Sequence, residues 1–200
     1  MTEMHPTKKI LVETAIRLLS LEPPVDVTID LILTESNISR GSLYHHFEDF
    51  DELIEIAHVE RYTTYVDTSI ALLTKVMRTA KSRDQLVSQV REVTILTQGR
   101  NLRSNRFNRI QTLALASKSP RMEKALAIEQ DRLTATIADL YREVLEKGWG
   151  NEKLSPSVIG VMIQAYSLGK VVDDFSPQPM NPEDWHELIN QILEEIFFPA

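Results

Sequence analysis

Residues 28–47 read TIDLILTESNISRGSLYHHF and carry the signals of two short helices joined by a tight turn. Thr28 can cap the first helix through its hydroxyl group. That helix should end at Asn37, because asparagine tolerates the left-handed backbone that a helix terminus favours. Ser39 can cap a second helix over residues 40 to about 46. The stretch therefore predicts a helix-turn-helix.

The second helix of this motif presents mainly hydrogen-bond donors and aromatic rings. Leu43 and Phe47, four residues apart, are expected to point inward. Gly41 has no side chain, so a phosphate or a backbone could approach it closely. The outward residues are Arg40, Ser42, Tyr44, His45 and His46. This surface suits the major groove of DNA, whereas the alternative is a solvated short helix with an ordinary aromatic anchor.

The rest of the chain is also predicted to be helical. Apolar residues recur at intervals of three and four rather than two, as in Leu11, Ala15 and Leu18. No alternating β-branched run lies beside an Asn-Gly or Asp-Gly turn. The helices expected outside the motif span about residues 7–21, 51–75, 83–97, 105–117, 121–147, 156–172 and 182–198. The predicted fold class is all-α, with about nine helices.

Composition excludes several classes of protein. Of the 200 residues, 42% are hydrophobic and 26% charged, which excludes disordered and collagen-like chains. Without cysteine there is no disulfide frame, thiolate metal site or cysteine nucleophile. The apolar run at residues 10–12 is broken by Glu13, so it is not a secretory signal, and no apolar stretch approaches a membrane span. We therefore expect a cytoplasmic protein with no membrane partner.

Residues 39–47, followed by Leu53, resemble the signature of the TetR (tetracycline-repressor-like) family of transcriptional regulators. The specific resemblance covers about residues 8–60. It implies an N-terminal three-helix DNA-binding domain over residues 5–65, which contains the helix-turn-helix. It also implies a larger C-terminal helical domain over residues 66–200 for ligand binding and dimerisation.

The resemblance implies a homodimeric repressor that a small-molecule effector releases from double-stranded operator DNA. The second helix of the motif would enter the major groove, and effector binding would change the separation of the two DNA-binding domains. The residues that match DNA-contacting positions are Thr28, Ser39, Arg40, Gly41, Ser42, Tyr44, His45 and His46.

Two departures bear on DNA affinity. Phe50, between Asp49 and Asp51, stands where the family commonly has a lysine on the DNA backbone. Residues 1–57 hold four Lys and Arg against eleven Asp and Glu, so the whole net charge of −7 lies in this segment. Because affinity for duplex DNA depends on neutralised phosphates, we expect a shallow salt dependence. The alternative is a helical ligand-sensing or partner-binding protein with a weakened DNA-reading head.

The C-terminal part suggests an effector pocket and a dimer interface. Candidate pocket residues are Phe107, Tyr141, Met162 and Tyr166, although each also suits an ordinary core. By resemblance, residues 156–172 and 182–198 form the homodimer interface, and the alternative is packing within one chain. The small residues Gly160, Ala165 and Gly169 would permit close helix approach.

Four arginines recur every three residues at positions 100, 103, 106 and 109. At about 100° per residue they spread over half a helix, which favours a solvated face. The functional alternative is attraction for an anionic effector or for the acidic N-terminal segment.

Enzyme signatures are weak. Glu55-x-x-His58 is one half of a di-metal carboxylate pattern, and the sequence holds no second copy. No phosphate-binding loop, zinc-protease motif or serine nucleophile elbow occurs. We therefore expect no catalysis, no metal site and no cofactor; a helical-bundle metalloenzyme is the remaining alternative of that class.

Overall fold

The computed structural model describes residues 4–199. Residues 1–3 and Ala200 lie outside this range, so the last residue of the predicted C-terminal domain, 66–200, is not described.

Three helices and the start of a fourth form the part of the molecule that we call the head. They are α1 (Pro6–Leu21), α2 (Ile29–Ser36), α3 (Arg40–His46) and the first eight residues of α4 (Phe50–Thr79). Their inward faces enclose a core of Leu11, Val12, Ala15, Leu18, Leu19, Val27, Ile32, Leu43, Phe47, Leu53 and Ala57. The spacing of three and four along α1 places its apolar side chains on one face, which the other helices cover.

The remaining helices form the body. They are α5 (Arg83–Gln98), α6 (Arg103–Ala116), α7 (Pro120–Glu146), α8 (Pro156–Gly169), α9 (Val171–Asp174) and α10 (Pro182–Gln191), which continues as a π-helical turn, Ile192–Phe197. Within the described residues, nine helices have seven residues or more and α9 is a single turn. The all-α class with about nine helices is therefore confirmed. Along residues 4–199, no helix combines the length and apolar character that a bilayer crossing requires.

Helix α4 joins the two parts. Leu53 and Ala57 near its start pack in the head, whereas Val66 and Val76 further along pack in the body. In the body, α7 packs mainly against α4 and α8. The predicted division between residues 65 and 66 falls inside this continuous helix, so head and body share one rigid element.

Local signals set most helix ends. Asn37 follows α2 with φ of 53°, and Gly148 follows α7 with φ of 70°. Both residues tolerate the left-handed conformation that ends a helix. Ser155 precedes Pro156 at the start of α8 as expected, but its hydroxyl makes no capping bond and lies 2.9 Å from Ser157 Oγ instead. The helix expected to reach residue 172 ends at Gly169.

Candidate nucleic-acid interface and effector cavity

The helix-turn-helix is built by two serine and threonine caps and one left-handed turn. Thr28 Oγ1 accepts the Leu31 N–H at 3.3 Å, and Ser39 Oγ accepts the Ser42 N–H at 3.2 Å. Each cap satisfies a backbone donor that a helix start leaves free. The turn at Asn37 lets α3 begin with only three residues between it and the end of α2. The local structure of the motif thus follows from the residues predicted to form it.

The outer face of α3 is open to solvent. Leu43 and Phe47 are buried in the head core, as the spacing predicts. Tyr44 is half exposed, and Arg40 and His45 are exposed. The other predicted DNA-contacting residues are exposed or half-buried: Thr28, Ser39, Gly41, Ser42 and His46. None of the eight is buried in the structure.

Gly41 is not required by contacts within the chain. A Cβ at this position would lie 4.0 Å from Ser39 Oγ, which is an ordinary van der Waals distance. Its helical backbone needs no left-handed conformation either. A molecule lying against α3 would come closest to the backbone at this point, because glycine leaves it uncovered.

A histidine cluster borders α3. The His46 ring lies 4.6 Å from the His5 ring and 5.1 Å from the His45 ring, centroid to centroid. The pKa of His46 is lowered, first by loss of solvation and then by repulsion from His5, His45 and Lys8. His5, which precedes Pro6 and caps α1 by accepting the Thr7 N–H at 3.2 Å, was not predicted as part of this surface. The sequence signal that could have identified His5 as the cap of α1 is its position directly before a proline in the first turn.

The head cations are engaged within the chain. Arg40 pairs with Asp30 at 2.5 Å and Arg17 with Glu35 at 2.7 Å. The more distant pair is Lys9 with Glu13, at 3.9 Å. Lys8 lies 4.8 Å from the centre of the Phe47 ring. Exposed ion pairs of this kind contribute little to stability, so these cations can exchange their carboxylates for phosphates at small cost.

The first turn of α4 is acidic and apolar rather than basic. Phe50 is half-buried and packs against the head core. Asp49 caps the helix by accepting the Glu52 N–H at 2.6 Å. From α7, Arg121 donates to Glu55 at 2.6 Å, and this hydrogen bond raises the pKa of Arg121. An arginine of the body thus offsets part of the acidity of the head, a contact that sequence spacing does not reveal.

The Glu55-x-x-His58 pattern does not form a metal centre. Glu55 is held by Arg121, and His58 is buried with Nδ1 3.4 Å from Thr112 Oγ1. Burial, with a smaller contribution from Arg61, lowers the pKa of His58 to about 4. Between residues 4 and 199, no three His, Asp or Glu side chains cluster in a way that could hold a metal ion.

A cavity of about 200 Å³ lies inside the body, among α4, α5, α6, α7 and α8 and the C-terminal turn. Tyr141 and Tyr166 line it, as predicted. Phe107 and Met162 do not. Phe107 packs edge-on against Phe175 at 4.6 Å, and Met162 lies exposed on the outer face of α8. The two residues lie on helix faces that do not meet the cavity, which the sequence could not distinguish from the faces that do.

The four-arginine run is not a solvated face. Arg100 and Arg103 are exposed, but Arg106 and Arg109 are buried and line the cavity. The solvated-face expectation is therefore wrong for the latter two. Arg106 pairs with Asp174, because α9 brings this carboxylate against α6.

A second, more open groove of about 440 Å³ lies between the head and the body. Ile16 and Ser20 of α1 line it on one side, and Asn105 and Arg109 of α6 line it on the other. Arg109 therefore borders both the inner cavity and a groove that reaches the head.

Helix α8 and the C-terminal helix carry several exposed apolar side chains. These include Val158, Val161, Met162, Leu188 and Ile196. Ala165 and Gly169 are exposed on α8. Gly160 is different: a Cβ there would lie 2.8 Å from the Thr134 carbonyl oxygen, so this glycine serves close packing of α8 on α7 of the same chain.

Residues 11–56 match the family model for bacterial regulatory proteins of the tetR family. The match includes the whole helix-turn-helix and confirms the TetR resemblance predicted from the sequence. None of the curated proteins matches this chain in sequence.

Solved structures share the fold over nearly the whole chain. A Mesorhizobium loti protein assigned to the TetR-family transcriptional regulators is 12% identical, with a TM-score of 0.72 over 96% of this chain and 97% of its own. A Saccharomonospora viridis transcriptional regulator in complex with choline is 17% identical, with a TM-score of 0.70 over 96% and 98%. The reduced form of Escherichia coli NemR is 17% identical, with a TM-score of 0.67 over 98% and 100%. The chain therefore has the fold of TetR-family transcriptional regulators, and residues 11–56 match the tetR-family sequence model.

Proposed function

We propose that this chain, with a tetR-family segment on a TetR-type fold, is a homodimeric, ligand-responsive repressor released from operator DNA by a small molecule. The observation that carries the proposal is the outer face of α3. Its polar and aromatic side chains are open to solvent, while Leu43 and Phe47 fix the helix to the head core. A short helix whose inner face is packed on a core and whose exposed face is polar suits the major groove of DNA.

The proposed DNA contacts divide into two kinds. Thr28 and Ser39 lie at the N-termini of α2 and α3, where free backbone N–H groups favour phosphate. Arg40, Gly41, Ser42, Tyr44, His45 and His46 lie along α3 and would approach base edges or the sugar-phosphate backbone. The first group would set position on the duplex, and the second would contribute sequence preference.

The proposed division is a DNA-binding domain over residues 5–65 and an effector-binding and dimerisation domain over residues 66–200. The inner cavity supports an effector site, with Tyr141 and Tyr166 in its wall. The exposed apolar side chains on residues 156–172 and 182–198 support a homodimer interface, because exposed apolar patches mark protein–protein contact sites. We place the protein in the cytoplasm, with its operator.

One alternative has specific support: a helical ligand-sensing or partner-binding protein with a weakened DNA-reading head. Arg17 and Arg40 are paired with carboxylates, and Phe50 occupies the position of the family's lysine. Such a head would release few counterions on DNA and bind it weakly.

Fluorescence-anisotropy titration distinguishes the repressor from the protein with a weakened DNA-reading head. The titration uses DNA fragments selected from the source genome, at two salt concentrations. We expect saturable binding to a roughly palindromic site. Arg40→Ala and Tyr44→Ala should each weaken it roughly 10- to 100-fold, since a base contact contributes about 1–3 kcal/mol. The matched control is Arg142→Ala, because Arg142 and Arg40 are both 54% exposed and both paired with an aspartate.

The control should bind DNA like the wild type, and all variants should keep the wild-type melting temperature and dimer mass. Failure of a folded dimer to bind any site at low salt would favour the alternative. A salt slope corresponding to about eight or more released ions per half-site would contradict the expected shallow dependence.

A further inference from the structure

Arg109 on α6 is buried, and the described residues supply it with no counter-charge. Its residue surface is 8% exposed, and its Nε atom is buried with no hydrogen-bond partner. The guanidinium lies over the Tyr65 ring, 3.9 Å from the ring centre. Among residues 4–199, no carboxylate lies within ion-pair distance of it. Stacking on an aromatic ring offsets only part of the cost of removing a cation from water.

Arg106, one turn earlier on the same helix, is a buried arginine whose charge is balanced by a carboxylate. It lines the same cavity and is 3% exposed. Asp174 accepts from its Nε at 2.6 Å and from a terminal nitrogen at 2.8 Å. Within residues 4–199, one cavity arginine therefore has a planar, two-point carboxylate partner and the other has none.

Two other polar residues of the cavity wall, Gln164 and Gln98, are already hydrogen-bonded within the chain. Gln164 donates to Thr134 Oγ1 and to the Gly160 carbonyl, both at 2.9 Å. Gln98 accepts the Trp185 indole N–H at 2.5 Å. In the described part of the chain, no Asp or Glu lines the cavity, and its other walls include Leu133, Ile137, Leu193, Phe197 and Phe198. The cavity wall of the described chain therefore holds one guanidinium without a carboxylate partner beside a largely apolar surface.

We propose that this cavity binds a small organic monoacid, whose carboxylate pairs with Arg109 and whose apolar body lies against the aliphatic and aromatic wall. The proposal deepens the proposed function, because it names the class of effector. One uncompensated cation calls for one negative charge, and the guanidinium fork matches a carboxylate at two points. An apolar cavity of roughly 150 Å³ holds benzene, so about 200 Å³ suits a single aromatic ring or a short alkyl chain with its acid group.

The test is a thermal-unfolding titration of the full chain without DNA, using acids paired with neutral amides of the same shape. The probes are benzoate against benzamide and octanoate against octanamide, with phenyl phosphate as a dianion of similar size. A monoacid at about one hundred times its Kd should raise Tm by roughly 5–10 °C, whereas its amide should have little effect.

Arg109→Met keeps an unbranched apolar stem and removes the charged guanidinium group. It should abolish the response to the acids and raise the Tm of the ligand-free protein, because an unpaired buried charge is removed. Arg103→Met is the matched control, since Arg103 lies exposed on the same helix, and it should respond like the wild type.

Four results would overturn the proposal: no shift with either acid in the wild type, equal shifts with the amides, an unchanged response in Arg109→Met, or a lower Tm for that variant without ligand. A larger shift with phenyl phosphate than with benzoate would overturn the carboxylate assignment. Since no DNA is present, these failures leave the DNA-binding result untouched. Conversely, if the protein bound no operator but still responded to the acids, the proposed regulatory function would fail and the proposed acid site would stand.

Discussion

The head and the inner cavity are built in opposite ways. In the head, the polar contacts that shape the motif join residues three apart, such as Thr28 with Leu31 and Ser39 with Ser42, and the candidate DNA contacts lie at the surface. In the cavity wall, the polar contacts join residues far apart in the chain, such as Arg106 with Asp174.

The difference predicts how each region responds to mutation. Exposed side chains of the head can change with little effect on folding, because water replaces the lost partner. Buried polar groups of the body cannot be changed without destabilising the fold, because losing a partner leaves a buried polar group without a hydrogen bond. Stability and function should therefore separate in the head and remain coupled around the cavity.

The largest expected effect is at the buried ion pair. Asp174→Asn leaves Arg106 in the interior without its counter-charge and should lower the free energy of unfolding by about 3–5 kcal/mol. Urea unfolding followed by circular dichroism measures the change. Asp139→Asn is the matched control, because the Asp139–Arg142 pair is exposed and should contribute no more than about 1 kcal/mol. Equal, small losses of unfolding free energy in the two variants would show that water reaches Asp174 and that the head and the cavity differ little in this respect.

A smaller effect is expected at His58, where α4 leaves the head. Its folded pKa of about 4 lies below the ordinary 6.5, so the unfolded chain takes up the proton first as the pH falls. The contribution of neutral His58 to the free energy of unfolding is fully present above about pH 6.5 and should decline by roughly 3 kcal/mol as the pH falls to about 4. Unfolding free energies measured across this range should show that decline in the wild type.

His58→Gln should flatten the decline, whatever its effect on stability at neutral pH. His186→Gln, on the half-buried surface of α10, is the control and should keep the wild-type slope. A slope that persists unchanged in His58→Gln would assign the acid sensitivity to other groups.

The smallest effect is expected in the turn of the motif. Asn37 has φ of 53°, so Asn37→Ala should cost about 1 kcal/mol through left-handed strain. Asn37→Gly should stay within a few tenths of a kcal/mol of the wild type, because glycine adopts this conformation freely. Thermal unfolding of both variants measures the difference. If alanine were tolerated as well as glycine, the turn would not depend on its local residue and the head would resemble the body in this respect.

Sequence alone determined the features that depend on near neighbours. The caps at Thr28 and Ser39, the turn at Asn37 and the inward pair Leu43 and Phe47 follow from backbone hydrogen-bonding and helical periodicity within a few residues. The all-α class and the TetR resemblance follow from the same local signals. Each is correct because the interaction that enforces it is encoded within one turn of helix.

Tertiary structure alone decided the interior of the body. Phe107 and Met162 carry the same apolar signal as Tyr141 and Tyr166, yet only the latter two line the cavity. In the sequence, Arg109 is one more member of a charged run. In the structure, its guanidinium stacks on Tyr65 of α4, and no carboxylate of the described residues pairs with it. Burial and pairing of a side chain depend on which helices pack against it, and that depends on residues distant in the chain.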